Sequence, residues 1–183
     1  MSQSQPLRIE NPQFGSFGTS RAQHSRLWFV QNQKLEQHIL AYLAKYQEKY
    51  GTQIYAKVFQ GNHYHLTARF PGANRTPFYR DYNARIAEAV RRFVPEYPGG
   101  TFFERRYSEQ ALPQNEDIEE RFFYCALQAV HAGLCERMGD YPGYNSFDDA
   151  VSGRVRKFRF VNWAAFNEAK RNNTNPRLDR KSV

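Results

Sequence analysis

Apolar residues recur every three or four positions in three stretches of the chain, which is the spacing of one buried helix face. The first stretch covers about 33–49, the second begins at Thr76, and the third covers about 115–137. Thr76 followed by Pro77 suits the first turn of a helix. We therefore predict three helices in these stretches, with a shorter one over 163–171.

Strand patterns lie between the helical stretches. Alternation is clearest over 63–70, where Tyr64 and Leu66 point to one side and His63 and His65 to the other. Further strands are predicted at 25–31, 53–59 and 101–107. The resulting order of elements is strand, helix, strand, strand, helix, strand, helix. This order predicts an α+β fold of ferredoxin-like type, an antiparallel sheet with helices packed on one face.

Composition narrows the class of protein. The chain has 183 residues, 40% hydrophobic and 16% aromatic, which excludes a wholly disordered chain. No apolar run approaches the roughly 20 residues of a membrane-spanning helix, and the N-terminus has no secretory pattern. Only Cys125 and Cys135 are present, so we expect a reducing, intracellular setting and no disulfide framework. We predict a flexible segment over 1–24, a domain over 25–147 and a basic extension over 148–183.

Charge is unevenly distributed along the chain. The net charge is +8, with ten acidic against four basic residues over 101–150 and nine basic against two acidic over 151–183. A basic surface beside one acidic segment suits a polyanionic partner. This signal is weak alone, because many basic proteins bind no polyanion.

Two pairs of residues can carry chemistry. His63 and His65 project from one strand face, so their imidazoles can share one divalent cation. Tyr124 and Gln128 lie four residues apart on one helix face, where a phenol can act as a nucleophile and an amide oxygen can ligate a metal. Considered separately, each pair has a simpler explanation. His63 and His65 are then two surface histidines, and Tyr124 and Gln128 belong to a solvated helix face.

Together, the two pairs are more specific. The segment Asn62-His63-Tyr64-His65-Leu66 resembles the His-hydrophobic-His strand of the HUH single-stranded DNA nucleases. The segment from Tyr124 to Leu134 resembles the tyrosine helix of their single-tyrosine branch, which includes the REP-associated tyrosine transposases. The resemblance covers about 25–147, which is most of the chain.

The resemblance implies the HUH endonuclease fold and a specific activity. Tyr124 would attack a DNA phosphodiester and form a 5′-phosphotyrosine, while His63, His65 and Gln128 would bind Mg²⁺ or Mn²⁺. The implied partner is single-stranded or hairpin DNA, with a homodimer left open, no membrane partner, and a bacterial cytoplasmic, nucleoid-associated location. The DNA contacts expected here come from basic residues on several elements: Arg69, Arg75, Arg80, Arg85, His131, Arg154, Arg156, Lys157 and Arg159.

Two positions depart from the family pattern. Gln128-Ala129 stands where the REP-associated branch has Asn-Pro, although the insertion-sequence branch uses Gln as a metal ligand at this position. Because Ala129 stands in place of proline, the helix should be more regular near Tyr124. His131 replaces a basic residue that is expected to contact phosphate. Two other functions stay open: a domesticated hairpin-DNA-binding protein without cleavage, and a hydrolase of small phosphoesters, which would need a further carboxylate ligand.

Overall fold

A computed structural model of the protein describes residues 9–30, 32–158 and 163–172. The strands are β1 (Gly15–Arg21), β2 (Gln53–Phe59), β3 (His63–Arg69) and β4 (Ser108–Leu112). The helices are α1 (Gln33–Tyr50), α2 (Arg75–Phe93), α3 (Asn115–His131), α4 (Phe147–Ser152) and α5 (Trp163–Arg171).

The four strands form one antiparallel sheet in the order β2-β3-β1-β4. Together with α1 after β1 and α2 after β3, this order is the ferredoxin-like arrangement. The predicted fold class is therefore confirmed. The helix predicted to stop at Gly51 does so, because Gly51 adopts a left-handed conformation with φ 61° and closes the last turn of α1.

Helices α1 and α2 cover one face of the sheet and α3 covers the other. The apolar side of β3, including Tyr64 and Leu66, packs into the core beneath α1 and α2. On the opposite face, Cys125 of α3 packs against Ala56 and Val58 of β2. The alternation predicted that the polar side of β3 is exposed to water. Because α3 crosses this second face, His65 and Thr67 are instead buried, and His63 and Arg69 are half-buried.

The first strand lies outside the predicted position. The segment 1–24 was expected to be flexible, yet it contains β1. The described part of the strand predicted at 25–31, residues 25–30, forms no strand. Small residues explain the error: Gly18 and Ser20 face the α2 side, where they accommodate Tyr79 and Asn83. The chain over 23–25 instead forms a turn, with His24 and Ser25 at positive φ.

Two other boundaries differ from the prediction. The strand expected at 101–107 begins only at Ser108. The segment before it contacts the end of β1 through an isolated bridge between Phe103 and Ala22 and a hydrogen bond from Glu104 N to Arg21 O. Helix α3 ends at His131 instead of near Arg137, and Gly133 at φ 67° follows that end. The predicted starts of α1 and α3 and the range of α5 agree with the structure.

The outer edge of β2 is covered by the chain that follows α3. Phe59 N donates to Tyr144 O at 2.8 Å, and Ser146 N donates to Lys57 O at 2.9 Å. The side-chain amide of Asn145 donates to Ala126 O at 2.9 Å, which ties this segment to α3. The segment therefore blocks one sheet edge and fixes α3 against the sheet. Across the described ranges, every helix is too short or too polar to span a lipid bilayer.

Gly18 makes the contact between β1 and α2 possible. A Cβ at position 18 would overlap the hydroxyl of Tyr79, whose side chain is fully buried. We predict that Gly18→Ala lowers the free energy of unfolding by about 1–3 kcal/mol through overpacking, measured by urea denaturation.

The control is Gly139→Ala, because a Cβ there meets no atom within 4 Å. This variant should unfold at nearly the same urea concentration as the unmodified chain. Equal stability of the two variants would contradict the close packing of β1 against α2.

Candidate metal and nucleophile site

His63 and His65 of β3 lie next to each other on one face of the sheet. Their ring centroids are 4.8 Å apart with the planes at 80°, on the face that α3 covers. His65 is only 5% exposed. The structure thus places the two imidazoles side by side, as their spacing on a strand predicts.

Hydrogen bonds orient both rings through Nδ1. Asn62 Nδ2 donates to Ser25 O, which directs Asn62 Oδ1 toward His63 Nδ1 at 2.6 Å. Because this oxygen only accepts, the proton of His63 lies on Nδ1 and a lone pair remains on Nε2. His65 Nδ1 contacts Thr19 Oγ1 at 2.7 Å, and its buried Nε2 has no hydrogen-bond partner among the described residues.

Gln128 of α3 reaches the same pair of rings. Its side-chain nitrogen lies 3.3 Å from His63 Nε2, and its buried Oε1 has no hydrogen-bond partner within the part of the chain that the structure describes. A buried amide oxygen without a partner is costly unless a donor or a cation satisfies it. Gln128 is thus placed where it could act as a third ligand beside the two imidazoles.

Burial and positive charge keep both imidazoles neutral. Burial, followed by the charge of Arg21, lowers the pKa of His63 to about 4. Burial lowers the pKa of His65 to about 3, with further contributions from His63, Arg21 and Arg121. At pH 7 both rings are therefore in the form that binds a metal ion.

Tyr124 lies against this cluster from α3. Its ring meets the His65 ring edge-on at 5.7 Å between centroids, and the Phe17 ring at 5.6 Å. The guanidinium of Arg121, one turn earlier on the helix, lies 5.4 Å from the Tyr124 ring centroid. Tyr124 is 36% exposed, so its ring is held on three sides while a ligand can still reach it.

The cluster opens into a polar cavity of about 280 Å³. Its lining residues are Thr19, Arg21, His63, His65, Arg105, Arg106, Ser108, Tyr124 and Gln128. A larger groove of about 540 Å³ lies between α1 and the chain over 144–158, and none of the four predicted site residues lines it. The smaller cavity is therefore the candidate site, because it brings the predicted metal ligands and nucleophile together.

The donor set fits a single divalent cation. The Gln128 amide lies beside His63 with its nitrogen toward the ring, so rotation of the amide group would turn its oxygen to His63 Nε2. His65 Nε2 and Gln128 Oε1 are both buried without a hydrogen-bond partner among the described residues. No trio of His, Cys, Asp or Glu side chains with ligand spacing occurs among the described residues, so a metal bound here would take Gln128 as its third side-chain ligand. Such a mixed nitrogen and oxygen set suits a divalent ion.

Several arginines predicted to contact DNA lie away from this cavity. Arg75 is buried and pairs with Glu109 at 2.7 Å, which argues against the predicted phosphate contact. Arg80 and Arg85 lie on α2, on the opposite side of the sheet, beside Asp81 and Glu88 respectively.

The remaining predicted contacts are dispersed. Arg69 lies at the other end of β3, about 20 Å along the strand from His63, and His131 is exposed at the end of α3. Arg154 and Arg156 pair with Asp149 and line the larger groove. Lys157 is exposed, and Arg159 lies outside the described residues.

Three arginines that line the cavity are not among the predicted DNA contacts: Arg21, Arg105 and Arg106. The doublet Arg105-Arg106 lies in the segment 101–107, for which the sequence pattern predicts a strand and not a charged bulge. Arg21 could be found only once β1 was known, because it faces His63 across the β1–β3 pairing.

Comparison with known proteins supports the fold. No family model and no curated protein matches the chain. Among solved structures, a REP-associated tyrosine transposase bound to a REP hairpin is similar, with a TM-score of 0.66 and 18% identity over 84% of this chain and 89% of that one. A tRNA(His) guanylyltransferase from Saccharomyces cerevisiae has a TM-score of 0.48 and 14% identity, over 68% of this chain and 62% of that one.

The first of these similarities agrees with the resemblance seen in the sequence. The chain has the α+β fold of a REP-associated tyrosine transposase, with a four-stranded antiparallel sheet. The HUH endonuclease fold expected from Asn62–Leu66 and Tyr124–Leu134 is thus present.

A metal at this site should stabilise the folded chain. We predict that Mn²⁺ at about 100 times its Kd adds about 2.7 kcal/mol to the free energy of unfolding, seen as a higher thermal midpoint than in EDTA. Gln128→Leu should abolish most of this shift, because it removes one of three ligands.

The matched control is Gln110→Leu, since Gln110 is exposed on β4 and does not line the cavity. It should keep the full shift of the unmodified chain. A Mn²⁺ shift that survives in Gln128→Leu would show that the ion binds elsewhere.

Proposed function

We propose that the protein is a metal-dependent transposase or endonuclease of single-stranded DNA, which cuts and rejoins strands through a covalent 5′-phosphotyrosine. The observation that carries this proposal is the contact of Tyr124 with His65 inside a cavity that also holds His63 and Gln128. A surface tyrosine with no catalytic role would not need two neutral imidazoles and an unpartnered amide oxygen beside it.

Tyr124 is the nucleophile. Its phenol oxygen forms a bond to phosphorus while the bond from phosphorus to the 3′-oxygen breaks. The phenol proton passes to water, and the departing 3′-oxygen takes up a proton to become a hydroxyl. The products are a protein-linked 5′ end and a free 3′ end.

The reverse reaction rejoins DNA. A 3′-hydroxyl attacks the phosphotyrosine, the bond between phosphorus and the phenol oxygen breaks, and Tyr124 regains its proton. The covalent link conserves the phosphodiester bond, so strand transfer needs no ATP. The Arg121 guanidinium holds the ring from the helix side and offers positive charge to the incoming phosphate.

His63, His65 and Gln128 would hold Mg²⁺ or Mn²⁺. When bound, the ion would supply Lewis-acid polarisation of a phosphate oxygen. The three side chains are prepared for this role, because both imidazoles are neutral and their Nδ1 atoms are occupied by Asn62 and Thr19.

One chain supplies every residue of the proposed site. The ring of Tyr124 and the two imidazoles meet within a single copy, which supports cleavage by the tyrosine of the same protomer. Helix α3 continues without interruption through Ala129, as expected where proline is absent. A homodimer is therefore not required to complete the site.

The proposed substrate is single-stranded DNA next to a hairpin. The similar structure holds a REP hairpin, and the cavity of this chain carries three arginines and no carboxylate. Guanidinium groups that line a cavity suit the phosphates of a polyanion. The main alternative is a protein that binds hairpin DNA without cutting it.

Tyr124→Phe separates these two functions. With Mn²⁺ and a pool of hairpin oligonucleotides carrying randomised single-stranded flanks, we expect the unmodified chain to retain a 3′-end label on a denaturing protein gel. A 5′-end label should instead appear on a shorter free DNA. Tyr124→Phe should lose both products, because it lacks the attacking oxygen.

The matched control is Tyr55→Phe, since Tyr55 lies on β2 and lines the other groove. It should form as much covalent adduct as the unmodified chain. Hairpin binding without adduct from any pool member would support the non-cleaving alternative, and adduct formation by Tyr124→Phe would exclude Tyr124 as the nucleophile.

A further inference from the structure

A bulge interrupts the pairing of β4 with β1 beside the candidate site. The two strands are in register at Thr19 and Ser108, and pairing resumes between Ala22 and Phe103. Between these points β1 has two residues, whereas the opposite chain has four, 104–107. Bulges of this kind redirect side chains and are frequent next to active sites.

Both ends of the bulge are anchored. Glu104 N donates to Arg21 O at 3.1 Å, which fixes the start of the bulge to β1. Tyr107 is 4% exposed and stacks on Tyr79 of α2, with centroids 3.9 Å apart and planes at 14°. Tyr107 points into the core, whereas the two residues before it, Arg105 and Arg106, line the cavity.

The bulge adds to the charge of Arg21. Arg21 faces His63 across the β1–β3 pairing, so its side chain lies on the cavity side of the sheet. Arg21, Arg105 and Arg106 are all exposed, and no acidic side chain is among the residues that line the cavity. Glu104, at 3.8 Å from Arg105, lies outside that lining.

We propose that Arg21, Arg105 and Arg106 form a phosphate clamp. This clamp binds the backbone phosphates that neighbour the phosphate attacked by Tyr124. This inference rests on the proposed function and deepens it by naming the substrate-positioning residues. The clamp comes from β1 and the bulge, whereas Tyr124 and Gln128 come from α3, so a strand in the cavity touches both sides. Guanidinium groups suit phosphate oxygens, and contacts of this kind hold the backbone without reading its sequence.

The clamp is tested by binding, separately from cleavage. A fluorescein-labelled 20-nucleotide thymidine strand is titrated with Tyr124→Phe protein in EDTA, by fluorescence anisotropy over a series of NaCl concentrations. Added to this background, the triple variant R21Q/R105Q/R106Q should reduce the slope of log K against log[NaCl] by about 2, at about 0.7 per lost phosphate contact. Each single change should weaken binding by about three- to tenfold at low salt.

The matched control is Arg92→Gln in the same background. Arg92 is exposed near the end of α2, on the opposite face of the sheet, so its loss should leave binding within about twofold and the slope unchanged. Thermal midpoints of all variants should agree, because the three clamp arginines are exposed. An unchanged slope in a folded triple variant would overturn the clamp.

Cleavage assays distinguish failure of the clamp from failure of the proposed function. In the presence of an intact Tyr124, the triple variant should form covalent adduct at least tenfold more slowly than the unmodified chain. Equal rates of adduct formation would refute the clamp and leave the nuclease intact. Reduced binding by the triple variant, with no adduct from the unmodified chain, would support the clamp and refute the nuclease.

Discussion

The packing of α3 on the polar face of the sheet determines where every proposed catalytic group lies. Cys125, Ala126 and Ala129 are almost fully buried, and their small size lets the helix approach the strands closely. Tyr124 and Gln128 flank this strip, so the same contact that buries it directs a phenol and an amide toward His63 and His65. A bulkier strip would move α3 outward and separate these groups.

Strand β1 completes the site from the other side. Thr19 contacts His65, Phe17 stacks on the His65 ring at 4.9 Å, and Arg21 lies opposite His63. Its other face carries Gly18 and Ser20, which let α2 pack closely against it. One face of β1 thus packs against α2 in the core. Its other face orients the imidazoles and helps to keep them neutral.

Much of this arrangement could be predicted from the sequence. The position of β1 and the bulge before β4 could not, for physical reasons. The stripe of α1, the alternation of β3 and the acidic start of α3 are local patterns that tertiary contacts reinforce. In β1, small residues replace the usual large apolar ones, so the strand lacks an alternating signal. The bulge that carries Arg105 and Arg106 depends on pairing between distant segments, which no local pattern encodes.

The number of imidazoles that bind one metal ion decides whether β3 and α3 form a single metal site. Electron spin echo envelope modulation of Mn²⁺ added to the full chain should show coupling to two imidazole nitrogens in the unmodified protein, and to one in His63→Gln. Mn²⁺ bound without imidazole coupling would show that β3 and α3 do not form a metal site beside Tyr124.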